Sequence, residues 1–330
     1  MTGVRETFEA SSEEPVGARP TRLRPIEVAG SPLYTEAVAP EMEGLPPALF
    51  VHGLGGSSRN WELLMEQLAG VVDGYAVDLP GFGQSPPPDD GGLSLNAHMR
   101  ALVDHLELTD RGPVHLFGNS LGGAVATRLA ALRPDLVRTL TLISPALPEL
   151  PPQRSALPTG LLAVPGAAGL LRRASRGQSF EAQTQAVLEL CYGDPTRIPP
   201  ERRATLVAEY RRRAELPYAL DVLCGSARGI VAAYATLRGA QALWRQAATV
   251  QAPTLLVYGL RDKLVGYRMA ARAMRTFPDA RLLVLPEAGH VAMMEFPEVV
   301  ARQFREFVAS AGAVAVAAPT AGAPAAEAQR

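Results

Sequence analysis

A chain of 330 residues, 47% hydrophobic and 20% charged, has ample material for one large core and falls in the ordinary globular class. A formal net charge of −1 gives no argument for a nucleic-acid partner, and none is expected. Two cysteines, Cys191 and Cys224, give neither a disulfide framework nor a metal-ligand spacing, and both read as small buried hydrophobes in preference to lid-facing thiols.

Residues 1–20 mix Glu, Ser, Pro and Arg without periodicity and are expected to form a disordered N-terminal tail. The opening MTGVRETFEASSEEP has no apolar core of a secretory signal. The apolar stretches 155–171 and 308–326 are interrupted by Pro or dominated by Ala and Gly, so no stable membrane insertion is expected and the default location is cytoplasmic. Residues near 22–38 predict one or two antiparallel edge strands. ALFVHG (48–53), GYAVDLPG (74–81), PVHLFGNS (113–120), VRTLTLIS (137–144), APTLLVYG (252–259) and ARLLVLPE (280–287) each predict a strand buried on both faces. WELLMEQLAG, LSLNAHMRALVDHLEL and SLGGAVATRLAALRP carry helical spacing between them. Such alternation predicts an α/β fold, a mostly parallel, doubly wound sheet flanked by helices, with a core built from 21–145 and 249–309.

The rhythm breaks between 146 and 248, which opens on a Pro-rich run and continues as helices, with thirteen Arg against eight Asp plus Glu. This stretch is expected to be a helical insertion folded over one edge of the sheet, a lid rather than an independent domain. Within it, SALPTGLLAVPGAAGLL reads as pocket lining or lid core in preference to its other reading, contact with a lipid surface. Residues 310–330, rich in Ala and Pro, are expected to be a disordered tail.

In an open α/β sheet, ligands bind at the carboxyl ends of the strands. The residues following the strands there include His52-Gly53-Leu54-Gly55-Gly56, Ser120, Asp262 and His290. Ser120 sits between Gly118, Gly122 and Gly123, which remove the Cβ atoms that would collide in a sharp strand-to-helix turn. A serine hydroxyl is a weak nucleophile unaided; His290 can serve as its base and Asp262 can orient that base. Ser120 also has a plain reading as a helix N-cap. His98 and His105, within a helical pattern, and His115, within a strand, read as structural; His52 also reads as shaping its Gly-rich loop. Asp78 at a strand end could replace Asp262, although the turn-rich run after it reads as loop fixing. Asp279 reads as a surface turn residue.

HGLGG, DLPGFGQS, GNSLGG, GLRD and the final AGH together resemble the signature set of the α/β-hydrolase fold superfamily, over 22–308 apart from the insertion. The resemblance implies Ser120 as nucleophile, Asp262 as acid and His290 as base, with an oxyanion hole from the backbone N–H groups of Leu54 and Leu121. It also implies that 146–248 is the lid that sets substrate choice. His52, Gly53 and Asn119, beside these groups, are assigned to substrate contact; no cofactor and no metal are expected. A serine implies attack on a carbonyl, with a carboxylic ester and an acyl-serine intermediate as the leading reading. The alternative is a carbon–carbon hydrolase of aromatic ring cleavage, whose substrate carboxylates could meet Arg172, Arg173 or Arg176, though RRAS and RRRAE also read as solvated helix faces. A third reading is a slow-turnover or non-catalytic small-molecule-binding protein of the same fold. The partner is expected to be a small ester or related carbonyl compound, and oligomeric state stays open.

Overall fold

Apolar runs rich in β-branched and aromatic residues become strands, and the 3.6-periodic runs between them become the helices that cover the sheet. The computed structural model describes residues 23–26, 31–236 and 238–317. The expected tail at 1–20, and the part of the C-terminal tail beyond 317, lie outside the described residues. In chain order the first half gives β1 (Leu23–Ile26), β2 (Thr35–Val38), β3 (Pro47–Val51), α1 (Glu62–Leu68), β4 (Asp73–Val77), α2 (Leu95–Thr109), β5 (Val114–Asn119), α3 (Leu121–Leu132) and β6 (Val137–Ile143). The insertion supplies α4 (Leu157–Gly160), α5 (Ala167–Ala174), α6 (Phe180–Cys191), α7 (Pro200–Ala214), α8 (Ala219–Ala235) and α9 (Leu243–Ala247), with no strand among its described residues. The chain then returns to the sheet with β7 (Thr254–Gly259), α10 (Arg268–Thr276), β8 (Ala280–Leu285), α11 (Ala292–Glu295) and α12 (Pro297–Ala317).

The described residues form an eight-stranded sheet in the order β1-β2-β4-β3-β5-β6-β7-β8. β1, β2 and β4 pair antiparallel at one edge, and all other pairs are parallel. One face packs on α2 and α3 through Leu102, Leu106, Leu116, Leu129 and Tyr258. The other packs on α1 and α12, where Phe50 stacks on Phe117 at 4.3 Å between ring centroids and Phe304 meets Phe117 at 4.8 Å. The parallel register puts the β3 and β5 termini side by side, Val51 opposite Gly118. That places the loop after β3 next to the turn after β5.

Several differences from the expected elements have local causes. β8, expected to be buried on both faces, is the last strand of the sheet and stays partly open, with Leu282 38% exposed. The strand expected at 74–81 stops at Val77, because Pro80 has no N–H to give a ladder and Gly81 takes φ +82°. α12 continues to Ala317, eight residues into the expected tail, since alanine is the strongest helix former. The insertion lies over loops at the strand ends rather than over a sheet edge: Leu223 and Val222 of α8 press on Gly55 and Gly81. Leu157, Leu161, Val164 and Leu170 point to solvent, so these four side chains form neither the pocket lining nor the lid core expected of the stretch, while Ala167 within it is buried. Among the described residues, no helix is long and apolar enough to cross a membrane.

Three histidines are buried in the scaffold. His98 meets Ser226 Oγ at 3.1 Å, His105 meets Ser31 Oγ at 2.9 Å and His115 meets Thr139 Oγ1 at 2.8 Å. Burial pushes each imidazole down to about 4. The unfolded chain therefore binds more protons than the folded one between the ordinary histidine value of 6.5 and about 4. Their stability contribution is complete above 6.5 and is lost as pH falls toward about 4. Urea unfolding from pH 7.5 to 5 is expected to show a slope approaching three protons from these residues, about 4 kcal/mol per pH unit, and one further proton from His52, which burial lowers to about 4 as well. His115→Gln should reduce that slope by about one proton. Constant stability across this range would contradict a neutral buried set.

Candidate active site

Ser120 stands between the last residue of β5 and the first of α3, at φ 52° and ψ −115°, a left-handed conformation rare for a residue with a side chain. Three backbone hydrogen bonds hold it there. Its N–H donates to the Ile143 carbonyl at 3.2 Å, and its own carbonyl accepts from Ala124 at 3.0 Å and Ala146 at 2.9 Å. The flanking glycines give the clearance. A Cβ on Gly118 would lie 2.6 Å from the Gly122 carbonyl oxygen, and one on Gly122 only 2.3 Å from that of Val51. Although Ser120 occupies the N-cap position, its hydroxyl makes no cap hydrogen bond, so the plain capping reading does not account for it. Leu121 opens α3, where a helix N–H has no acceptor within the helix.

The loop after β3 lies against this turn. A Cβ on Gly53 would come within 3.1 Å of Ser120 Cβ and 2.8 Å of Asn119 Oδ1, so only glycine allows this approach. Leu54 follows at the next position of the loop. His52 is fully buried, its Nε2 accepting from the Leu79 N–H at 3.0 Å and its Nδ1 donating to the Gly53 carbonyl at 2.7 Å. Burial drives this ring down to about 4, so it is neutral and committed to the loop. Its side chain has no free nitrogen for the substrate contact assigned to it.

Asp262 and His290 come from the loops after β7 and β8 and meet in the interior. His290 Nδ1 lies 2.9 Å from Asp262 Oδ2, with both side chains buried. The other carboxylate oxygen accepts the N–H groups of Leu264 at 2.8 Å and Val265 at 2.9 Å. Burial alone pushes the Asp262 carboxyl up, but the His290 ring and these backbone donors outweigh it and hold it below its ordinary value. An ionised carboxylate only accepts, so Nδ1 carries the proton of this hydrogen bond, and in the neutral ring that tautomer puts the lone pair on Nε2.

Asn119 connects this pair to the serine turn. Its amide Nδ2 donates to the Ile143 carbonyl and the His290 carbonyl, each at 3.0 Å. The residue just before Ser120 thus holds the backbone of residue 290. Both amide protons are used, so Asn119 serves the scaffold through this group rather than a ligand. Asp78 is spent elsewhere: its oxygens accept from Ser58 N–H at 2.6 Å and Gln84 N–H at 2.7 Å, fixing the loop after β4. Arg172, Arg173 and Arg176 reach the surface of the insertion rather than its interior. Among the described residues, no group of three or more His, Cys, Asp or Glu side chains could hold a metal ion.

Two carboxylates at the site gave no signal in the sequence. Glu295 bridges the insertion and the histidine loop, Oε2 accepting the Gly193 N–H and Oε1 the Gly289 N–H, both at 2.8 Å. The His290 N–H donates to the Cys191 carbonyl at 2.7 Å beside it. Glu209 of α7 accepts the Ser57 hydroxyl, tying the insertion to the loop after β3. Burial favours its neutral form, but Arg213 and the Ser57 hydrogen bond prevail and keep it ionised. Both are lone acidic residues inside helical patterns, and only the three-dimensional contacts reveal them.

A family model described as alpha/beta hydrolase fold matches residues 46–297. One relative, the dihydrolipoyllysine-residue acetyltransferase component of an acetoin cleaving system from Pseudomonas putida, is 32% identical over 81% of this chain. The match spans 64% of that protein, less than two thirds of its length. A pimeloyl-[acyl-carrier protein] methyl ester esterase of Neisseria meningitidis is 28% identical over 81% of this chain and 96% of its own length. Among solved structures, the 2-hydroxy-6-oxo-6-phenylhexa-2,4-dienoate hydrolase of Rhodococcus sp. strain RHA1 matches with a TM-score of 0.70 and 18% identity. That match covers 87% of this chain and 99% of the other, a likeness of fold.

Glu295→Gln sets an amide NH2 against one of the two backbone donors that the carboxylate now accepts. Loss of that hydrogen bond is expected to cost about 2 kcal/mol in urea unfolding. Wild-type stability in this variant would show that the bridge holds nothing.

Proposed function

The chain belongs to the alpha/beta hydrolase fold family, and on that premise we propose that it is a serine hydrolase of carboxylic esters, with Ser120, His290 and Asp262 as its catalytic triad. The observation that carries this reading is the buried His290–Asp262 hydrogen bond of 2.9 Å, tied through the Asn119 amide to the turn presenting Ser120. The carboxylate fixes the tautomer, which leaves Nε2 as the base. Nε2 takes the Ser120 proton as Oγ bonds to the ester carbonyl carbon, and the carbonyl electron pair moves onto oxygen. The N–H groups of Leu54 and Leu121 form the oxyanion hole, each such donor supplying about 3 kcal/mol to the tetrahedral intermediate. The intermediate collapses to acyl-Ser120, and the imidazolium gives its proton to the departing alcohol. Water, deprotonated by Nε2, then releases the acid and restores the serine.

The helices of 146–248 act as the lid of this site, closing over the loops after β3 and β4. An ester is favoured over a ring-cleavage dienoate because Arg172, Arg173 and Arg176, the groups that motivated a carboxylate-bearing substrate, lie on the outer surface of the insertion. The Neisseria relative with 28% identity is itself named a methyl ester esterase.

Turnover of a panel of p-nitrophenyl esters tests the assignment. Ser120→Ala is expected to abolish hydrolysis while thermal unfolding stays cooperative. Activity on a dienoate but on no ester would move the reaction to carbon–carbon cleavage, and turnover of neither would leave a binding protein. Asp262→Asn keeps an acceptor for Leu264 and Val265 but presents the wrong group to Nδ1, and kcat is expected to fall about 10⁴-fold. Near-wild-type kcat in that variant would place the acid at another residue.

A further inference from the structure

Among the described residues, five large apolar side chains between positions 150 and 170 lie largely in solvent: Leu150, Leu157, Leu161, Val164 and Leu170, 48–69% exposed. Isolated apolar residues are ordinary on a surface, but a run of them marks a site of contact. α4, the turn at 161–163 and α5 all pack on α8, so these elements form one outer layer of the insertion. The exposed side chains stand on its solvent side.

The same stretch carries an uneven charge. Residues 150–180 contain Arg154, Arg172, Arg173 and Arg176 and no Asp or Glu, in a chain whose net charge is −1. Arg154, Arg172 and Arg173 are exposed. Of neighbouring acids, Asp221 of α8 approaches Arg172 at 3.5 Å, with both side chains more than half exposed. The preceding acid, Glu149, is buried and paired with Arg268.

We propose that this face docks on a lipid surface bearing anionic headgroups, the leucines entering the interface and the arginines meeting phosphates. Apolar side chains rimmed by cations match such a surface in both respects. A second copy of the chain fits poorly, because a two-fold contact would set the arginines of one copy against the same arginines of the other. The contact is peripheral. The stretch is also bonded to the Asp262 loop, Gln153 Nε2 donating to the Asp262 carbonyl at 3.4 Å and Ser155 Oγ to that of Lys263 at 2.6 Å. Docking would therefore bring the candidate active site to the membrane plane, although the binding itself requires no turnover.

Co-sedimentation of the full chain with vesicles of phosphatidylcholine alone, or mixed with phosphatidylglycerol, tests the proposal. The chain is expected to pellet with the mixed vesicles and to be released as salt is raised. Leu161→Ser with Leu170→Ser should weaken binding about tenfold, and Arg172→Glu with Arg173→Glu at least about tenfold. These side chains are exposed, so melting temperatures should match wild type, and the leucine variant should keep its hydrolysis of a soluble ester. Absence of pelleting with either vesicle, or equal pelleting of all variants, overturns the proposal. So does a wild-type dimer in size-exclusion chromatography that the leucine variant converts to monomer, which would assign the face to a second copy.

Discussion

A serine with a side chain held at φ 52° is the constraint around which the centre of the molecule is arranged. A non-glycine residue in that region costs roughly 1–2 kcal/mol and persists only where its surroundings over-determine it. Here they do so from three directions. β6 accepts the Ser120 N–H, the following helix and the start of the insertion donate to its carbonyl, and glycines let the β3 backbone and α3 close around it. The helix start, the adjacent Gly-rich loop and the strand register are all conditions for one hydroxyl standing clear of the backbone.

A second layer of the design is polar and buried. Asp262 is ionised in the interior because the His290 ring and two backbone N–H groups together compensate its desolvation. His52 follows the opposite logic. With both nitrogens hydrogen-bonded to backbone, burial outweighs the pull of the Glu209 carboxylate and leaves it uncharged, and it works as a strut for the loop it belongs to. Two imidazoles at strand ends of one sheet thus have different chemistry because one faces a carboxylate and the other faces main chain.

The sheet, and the three strand ends that carry Ser120, Asp262 and His290, were legible in the sequence. Doubly buried strands are continuous apolar runs, and glycines crowd around a serine at a strand–helix junction where its backbone must turn sharply. What was not legible was set by packing. Asn119 reads as a substrate contact from its position, but both of its amide protons go to carbonyls of distant chain segments. The run SALPTGLLAVPGAAGLL looks like interior, and hydropathy cannot tell a core from an uncovered surface. Glu295 and Glu209 are ordinary helix residues until the insertion folds back and brings backbone donors or a hydroxyl to them.

The stitching at residues 191–193 bears on how such an insertion can be exchanged. Cys191 lends its carbonyl to residue 290, and Gly193 comes so close to the histidine loop that a Cβ there would sit 2.1 Å from the Glu287 carbonyl oxygen. This short turn packs directly against the loop that carries His290 although it is encoded in the middle of the insertion. Recombination that imports a foreign set of helices between β6 and β7 must therefore preserve a two-glycine seam, Gly193 against Gly289, well inside its own breakpoints. Modules grafted by their sequence borders alone would arrive without it.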